Sequence, residues 1–135
     1  MKKSIFIMLT VALFAACKGN VSESEKDAAR MYVGDAIEVA NNILGGKQID
    51  FMTYCDMVEF RNDNVYYYYT IDEDYTTMDN VRNNINVVKE QLEQYFDNNQ
   101  DAKELSDMLA KLNGKFVYRY TGNKSGEQVS FEIKP

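Results

Sequence analysis

The sequence contains no histidine and no tryptophan. Histidine is the commonest general base of enzyme active sites and the commonest protein ligand of transition metals. Its absence excludes Ser-His-Asp and Cys-His catalytic arrangements, and it leaves a zinc site with carboxylates and thiols as its only ligands. We therefore expect no catalytic site, no metal site, no cofactor and no enzymatic activity.

Basic side chains are also scarce: 15 Lys and Arg stand against 21 Asp and Glu, which gives a formal net charge of −6. A protein that binds nucleic acid needs clusters of Lys and Arg to contact phosphates. The composition therefore predicts no nucleic-acid partner, although an acidic surface suits a basic protein partner.

The longest apolar stretch of the sequence spans residues 5–16 and follows the positive pair Lys2 and Lys3. A membrane-spanning helix needs about 20 apolar residues, whereas the apolar core of a signal peptide needs about 7–15. The stretch ends in "LFAAC", with two small residues directly before Cys17. This pattern resembles the signal peptide of bacterial lipoproteins, with Phe14 where that family usually has leucine.

The resemblance implies that residues 1–16 are removed and that Cys17 carries a lipid anchoring the chain to a membrane. Because Lys18 stands where some bacteria use Asp for inner-membrane retention, we expect an exported protein of the outer membrane. Removal of Lys2 and Lys3 lowers the formal charge from −6 to −8 and leaves Cys55, which we expect to be buried, as the remaining thiol. The alternative is an ordinary signal peptide cleaved near Ala16, with Cys17 an incidental thiol.

Residues 17–23 are predicted to form the lipidated N-terminus and a polar tether, and residues 24–135 a single domain. The Ser22-x-x-Glu25 pattern is typical of a helix start, and Gly45-Gly46 of its end. A second helix is predicted from about Thr77, a break at residues 97–100, and a third helix that ends near Asn113-Gly114.

Two hairpins are predicted, one with strands at about 54–61 and 65–71, the other with strands at about 116–121 and 129–133. For the first hairpin, burial of one face favours pairing Phe60 with Tyr67 and Val58 with Tyr69. This register places Arg61 opposite Tyr66 and Glu59 opposite Tyr68. It also places Cys55 on the outward face.

The element order predicts an α+β fold, with a four-stranded antiparallel sheet from two hairpins and the helices on one face (α-β-β-α(α)-β-β). The topology over residues 24–134 resembles the tandem α-β-β arrangement of PepSY-like and β-lactamase-inhibitor-protein-like exported domains.

Three stretches resemble functional motifs without completing them. In "GNKSG" Gly122 stands three residues before Ser125, whereas a nucleophile elbow needs glycine two residues before the serine, and the stretch is predicted to be a turn. "DNNQD" at 97–101 lacks the glycine and the glutamate of a calcium loop. The acidic residues 72–74 allow either a cation site or a solvated connection that favours the next helix N-terminus.

The outward side chains of the sheet remain as the candidate site. Tyrosine and arginine are enriched at the energetically dominant positions of protein interfaces. We therefore predict a protein-binding face, with an ordinary solvated sheet surface as the alternative. Its residues are Met57, Arg61, Tyr66, Tyr68 and Arg119.

A second functional hypothesis is a lipoprotein that binds a small molecule in a pocket between the sheet and the helices. A deep cavity lined by Tyr67, Tyr69 and Tyr118 would favour it, and a closed, well-packed core would count against it.

Overall fold

Helix boundaries follow the capping signals of the sequence. A computed structural model describes residues 20–135, so the predicted signal peptide and Cys17 lie outside the described residues. The helices are α1 (Glu23–Leu44), α2 (Met78–Asn98) and α3 (Gln100–Lys111). Ser22 Oγ accepts a hydrogen bond from the Glu25 amide at the start of α1. Asn99 ends α2 and caps α3, which confirms the predicted break.

Five strands form one sheet in the order β1-β2-β3-β4-β5, with the helices on one face. Their bounds are β1 (Lys47–Gln48), β2 (Thr53–Arg61), β3 (Asn64–Ile71), β4 (Phe116–Gly122) and β5 (Gln128–Ile133). The predicted α+β class is confirmed. The prediction of four strands omitted β1, which has two exposed residues.

The prediction of a wholly antiparallel sheet is wrong at its centre, because β3 and β4 are parallel, with Val65 opposite Phe116 and Ile71 opposite Gly122. Residues 72–115 join these strands and contain two helices. A connection of this length returns the chain to the edge where β3 began, so the next strand runs in the same direction.

The register of the first hairpin differs from the predicted one by two residues. Asn62 and Asp63 both have positive φ, at 52° and 63°, and form a two-residue turn closed by Arg61 and Asn64. Phe60 therefore pairs with Val65, Val58 with Tyr67 and Glu59 with Tyr66. Because side chains alternate with a period of two, this shift changes the partners but keeps the predicted face of these residues.

A bulge at Asp56 reverses the predicted face of Cys55. Cys55 pairs with Tyr69 and Met57 with Tyr68, so Asp56 is an extra residue on β2. The extra residue turns Cys55 into the core, where it has no exposed surface. The predicted burial of Cys55 is thus confirmed, whereas its predicted place on the outward face is wrong.

The core lies between the sheet and the helices. α1 contributes Ala29, Val33 and Ile37, and β4 contributes the fully buried Phe116. Phe116 stacks on Phe96 of α2, with ring centroids 4.4 Å apart. Across residues 20–135, none of the helices is long and apolar enough to cross a membrane.

Candidate functional site

The face of the sheet opposite the helices carries all five residues of the predicted binding face. Alternation along β3 turns Tyr66 and Tyr68 outward, while Tyr67 and Tyr69 point toward the helices. Tyr68 lies between Met57 of β2 and Arg119 of β4, which are its direct cross-strand partners. We refer to Met57, Arg61, Tyr66, Tyr68 and Arg119 as the arginine–tyrosine surface.

Cation–π contacts hold this surface together. The rings of Tyr66 and Tyr68 stack with centroids 6.0 Å apart and planes at 9°. Arg61 Cζ lies 4.6 Å from the centroid of the Tyr66 ring, and Arg119 Cζ lies 5.4 Å from that of Tyr66 and 5.9 Å from that of Tyr68. These distances fall within the range of about 6 Å in which a guanidinium is attracted to an aromatic face.

The two arginines differ in how their charge is compensated. Arg61 Nε lies 3.3 Å from Glu59 Oε1, and its Nη2 donates a hydrogen bond of 3.4 Å to the Tyr68 hydroxyl. The bond to Tyr68 raises the pKa of the Arg61 guanidinium above its ordinary value. Arg119 has no carboxylate within 4.0 Å in the described part of the chain, so its charge is free to meet an incoming group.

The surface is accessible. Met57 is 40% exposed, Arg61 is exposed, and Tyr66, Tyr68 and Arg119 are half-buried. Its rim is charged, since Lys115 Nζ pairs with Glu132 Oε2 on the neighbouring strand. The structure thus brings the five residues together, while binding by them stays a prediction.

A cavity of about 400 Å³ lies on the other side of the sheet, between its inner face and the three helices. Six of its thirteen lining residues are aromatic, and Asp101 is the one charged residue among them. We name it the tyrosine cavity; it is lined by Tyr32, Ala36, Ala40, Leu44, Tyr67, Tyr69, Leu92, Tyr95, Phe96, Asp101, Ala102, Leu105 and Tyr118. The second functional hypothesis required such a cavity at Tyr67, Tyr69 and Tyr118.

The floor of the tyrosine cavity is a stack of rings that stand on the central strands. The Tyr67 and Tyr118 centroids lie 4.6 Å apart with planes at 3°, and Tyr69 lies 5.0 Å from Tyr120. Burial raises the pKa of Tyr67 to about 12 and that of Tyr69 further above its ordinary value. The phenol groups of the floor therefore remain neutral across the physiological pH range.

One lining residue of the cavity, Tyr32, belongs to a polar pair that the sequence did not indicate. Tyr32 of α1 donates a hydrogen bond of 3.2 Å to Glu104 of α3. Burial raises the pKa of Tyr32 above its ordinary value, and the nearby charges of Glu104 and Asp101 add to this shift. Helices α1 and α3 are far apart in the sequence, so their packing is needed to bring Tyr32 to these carboxylates.

The acidic residues 72–74 hold the turn between β4 and β5. Glu73 Oε1 accepts hydrogen bonds from the amides of Lys124 and Ser125, at 2.8 and 2.7 Å, and from Ser125 Oγ at 3.0 Å. These bonds keep the pKa of Glu73 below its ordinary value. "GNKSG" is thus a turn, as predicted, and within residues 20–135 no group of three or more His, Cys, Asp or Glu is placed to hold a metal ion.

Comparison with known proteins identifies no family. No model of a known protein family matches the chain, and no curated protein matches it significantly. The resemblances to lipoprotein signal peptides and to PepSY-like or β-lactamase-inhibitor-protein-like domains therefore stay predictions.

Two solved structures are similar in fold. One is a Pseudomonas aeruginosa protein classed as secreted, with 11% identity, a TM-score of 0.59 and coverage of 85% of this chain and 96% of that one. The other is the pilotin of the Vibrio vulnificus type 2 secretion system, with 8% identity, a TM-score of 0.62 and coverage of 84% and 94%. At these identities the likeness shows the fold alone.

Proposed function

We propose that this chain is an exported, lipid-anchored envelope protein without catalytic activity, which binds another protein through the arginine–tyrosine surface. The observation that carries the proposal is the pair of stacked tyrosines on the outward face, flanked by two arginines. The core that packs on the helices lies on the other face of the same strands, where Tyr69 and Tyr118 are buried.

The chemistry of the surface indicates what a partner would present. Arg119 lacks a carboxylate neighbour within the described residues, so an Asp or Glu of the partner would gain a charge-assisted hydrogen bond there. The tyrosine rings and Met57 offer apolar area around that contact. Interfaces concentrate their binding energy in such aromatic and arginine positions.

The proposed location is supported by the "LFAAC" sequence and by the fold neighbours, one classed as secreted and one a pilotin of a secretion system. An anchor at Cys17 would hold an acidic domain at a membrane without a spanning helix. We expect Cys17→Ala to abolish acyl labelling and to release or mis-process the protein. Unchanged labelling and membrane fractionation would refute the anchor.

Crosslinking in the native envelope tests the binding face. A photo-crosslinking residue at position 57, on the edge of the surface, should capture a discrete partner. The double variant Tyr66→Ser/Tyr68→Ser should lose this product while staying folded. Tyr75→Ser serves as the matched control, because Tyr75 is 64% exposed and lies outside the surface. Equal capture by the double variant and the control would contradict the proposal.

A second candidate function is the binding of a small molecule in the tyrosine cavity. The observation that favours it is the cavity itself, which has the volume and the aromatic lining of ligand sites of about 300–1,000 Å³.

A further inference from the structure

We propose that the ligand of the tyrosine cavity is an organic cation, an alkyl- or arylammonium compound whose positive charge lies among the aromatic side chains and is balanced by Asp101. This inference rests on the second candidate function and adds the chemical class of the ligand.

The lining of the cavity selects for positive charge. Five tyrosines and one phenylalanine supply π systems and hydroxyl oxygens, and Asp101 supplies a carboxylate. No lysine or arginine is among the lining residues. An exposed aromatic face stabilises an ammonium by about 0.5–1 kcal/mol. Because the Tyr67 and Tyr118 rings stack on each other, this contact falls to Tyr32 and Tyr95, which are 37% and 55% exposed.

Asp101 is exposed in the first turn of α3, where its charge favours the helix N-terminus, and no cationic side chain among the described residues pairs with it. No lysine or arginine nitrogen lies within 4.0 Å of its carboxylate among residues 20–135, and no side chain or amide there donates a hydrogen bond to it. Glu104, one turn further along α3, already accepts the Tyr32 hydroxyl. A cationic ligand would therefore meet an uncompensated carboxylate at the edge of an aromatic lining.

An anionic ligand is disfavoured by the same environment. An anionic ligand would lie near the Asp101 carboxylate, and the lining has no lysine or arginine to offset that repulsion. A neutral ligand would gain the apolar contacts but nothing from Asp101. The lining thus distinguishes a cation from a neutral molecule of identical shape.

Benzyltrimethylammonium and neopentylbenzene have the same shape and differ in charge, because a carbon atom replaces the nitrogen. We expect the purified protein to bind the cation at least tenfold more tightly, as measured by calorimetry. Ring resonances of Tyr67 and Tyr118 should shift in NMR spectra during the titration. Tighter or equal binding of neopentylbenzene would overturn the ligand class while leaving the cavity as a binding site.

Two sets of variants separate the effect of the Asp101 charge on binding from the effect of the cavity volume. Asp101→Asn should weaken binding of the cation about tenfold and leave the neutral compound unaffected, whereas Asp107→Asn, an exposed position on the same helix, should change neither. Ala36→Leu or Ala40→Leu should fill the cavity and weaken binding of both compounds, with thermal unfolding confirming that each variant is folded. If neither compound binds, or if the leucine variants bind normally, the cavity is not the site and the second candidate function fails as well.

Discussion

The four consecutive tyrosines at positions 66–69 predict an alternating stability profile. Tyr69 is 9% exposed and stacks against Tyr120 and Tyr118, whereas Tyr68 is half-buried on the outward face. Replacing each by alanine removes the same atoms from adjacent positions of one strand. The two variants therefore compare the two faces of the sheet without changing the local sequence context.

The expected magnitudes differ clearly. Removing a buried aromatic side chain costs about 3–5 kcal/mol, and we expect Tyr69→Ala to cost about 3 kcal/mol. Tyr68→Ala loses an exposed cation–π contact, about 0.5–1 kcal/mol, and a cross-strand pair, about 0.2–1 kcal/mol. Its expected cost is therefore about 0.7–2 kcal/mol, and the variants should differ by about 1–2 kcal/mol.

Urea unfolding followed by circular dichroism measures this difference. The m-values of the variants and the wild type should agree, because the surface exposed on unfolding is nearly the same. Tyr75→Ala, at an exposed site, should change the free energy of unfolding by about 0.5 kcal/mol or less. A cost for Tyr68→Ala equal to that for Tyr69→Ala would refute the reasoning, since Tyr68 would then be part of a packed core and not of an available surface.

Two further predictions concern the turns that position the sheet. Because the folded-state pKa of Glu73 lies below its unfolded value, its ionised form contributes stability above the unfolded pKa, and this stability is lost as the pH falls through the folded-state pKa. Glu73→Gln should therefore lower the melting temperature at pH 7 and much less at pH 3, unlike the exposed Glu38→Gln. An equal effect of Glu73→Gln at both pH values would contradict this. Gly114→Ala should lower the free energy of unfolding in urea by at least about 1–3 kcal/mol, because a Cβ there would collide with the Asp63 carbonyl oxygen. Gly34→Ala, inside α1 with its nearest neighbour atom 4.0 Å away, should instead stabilise the protein by about 0.5–1 kcal/mol. Equal effects of the two substitutions would show that the approach of Gly114 to Asp63 is not tight.

Local signals in the sequence were sufficient to locate the helices and four of the strands. Ser22, Thr77 and Asn99 cap helices with their side chains, and the geometry of each cap involves residues only three positions apart. The hairpin turn at Asn62-Asp63 is local in the same sense. These elements depend on neighbouring residues and can therefore be predicted from a single sequence.

Contacts between elements that are distant in the sequence could not be predicted from it. The parallel pairing of β3 with β4 depends on the path of residues 72–115, and the bulge at Asp56 depends on how β2 meets both β1 and β3. Gly46, next to β1, donates its amide to the carbonyl oxygens of Cys55 and Asp56 at the bulge. No periodicity within β2 reveals this contact, so the outward position of Cys55 was predicted wrongly.

The candidate binding face was nevertheless placed on the open side of the sheet, for a specific reason. The error in the register of the first hairpin was two residues, and an even shift preserves the side of the sheet to which each residue points. The tyrosine cavity was only partly foreseen: Tyr67, Tyr69 and Tyr118 were named, but Asp101 and Tyr32 were not. Their meeting requires α1 and α3 to pack together, and no spacing in the sequence encodes that contact.

Strand β3 separates the two proposed sites, so a substitution at one site should leave the other unchanged. Tyr66 and Tyr68 belong to the arginine–tyrosine surface, while Tyr67 and Tyr69 line the tyrosine cavity. Both edges of β3 are hydrogen-bonded to neighbouring strands. A strand paired on both sides has little freedom to shift, so filling the cavity should leave the outward rings in place. Ala36→Leu should therefore weaken cation binding without affecting partner capture, whereas Tyr66→Ser/Tyr68→Ser should abolish partner capture without affecting cation binding. Loss of both activities in either variant would show that the two faces act as one site, with β3 transmitting the change.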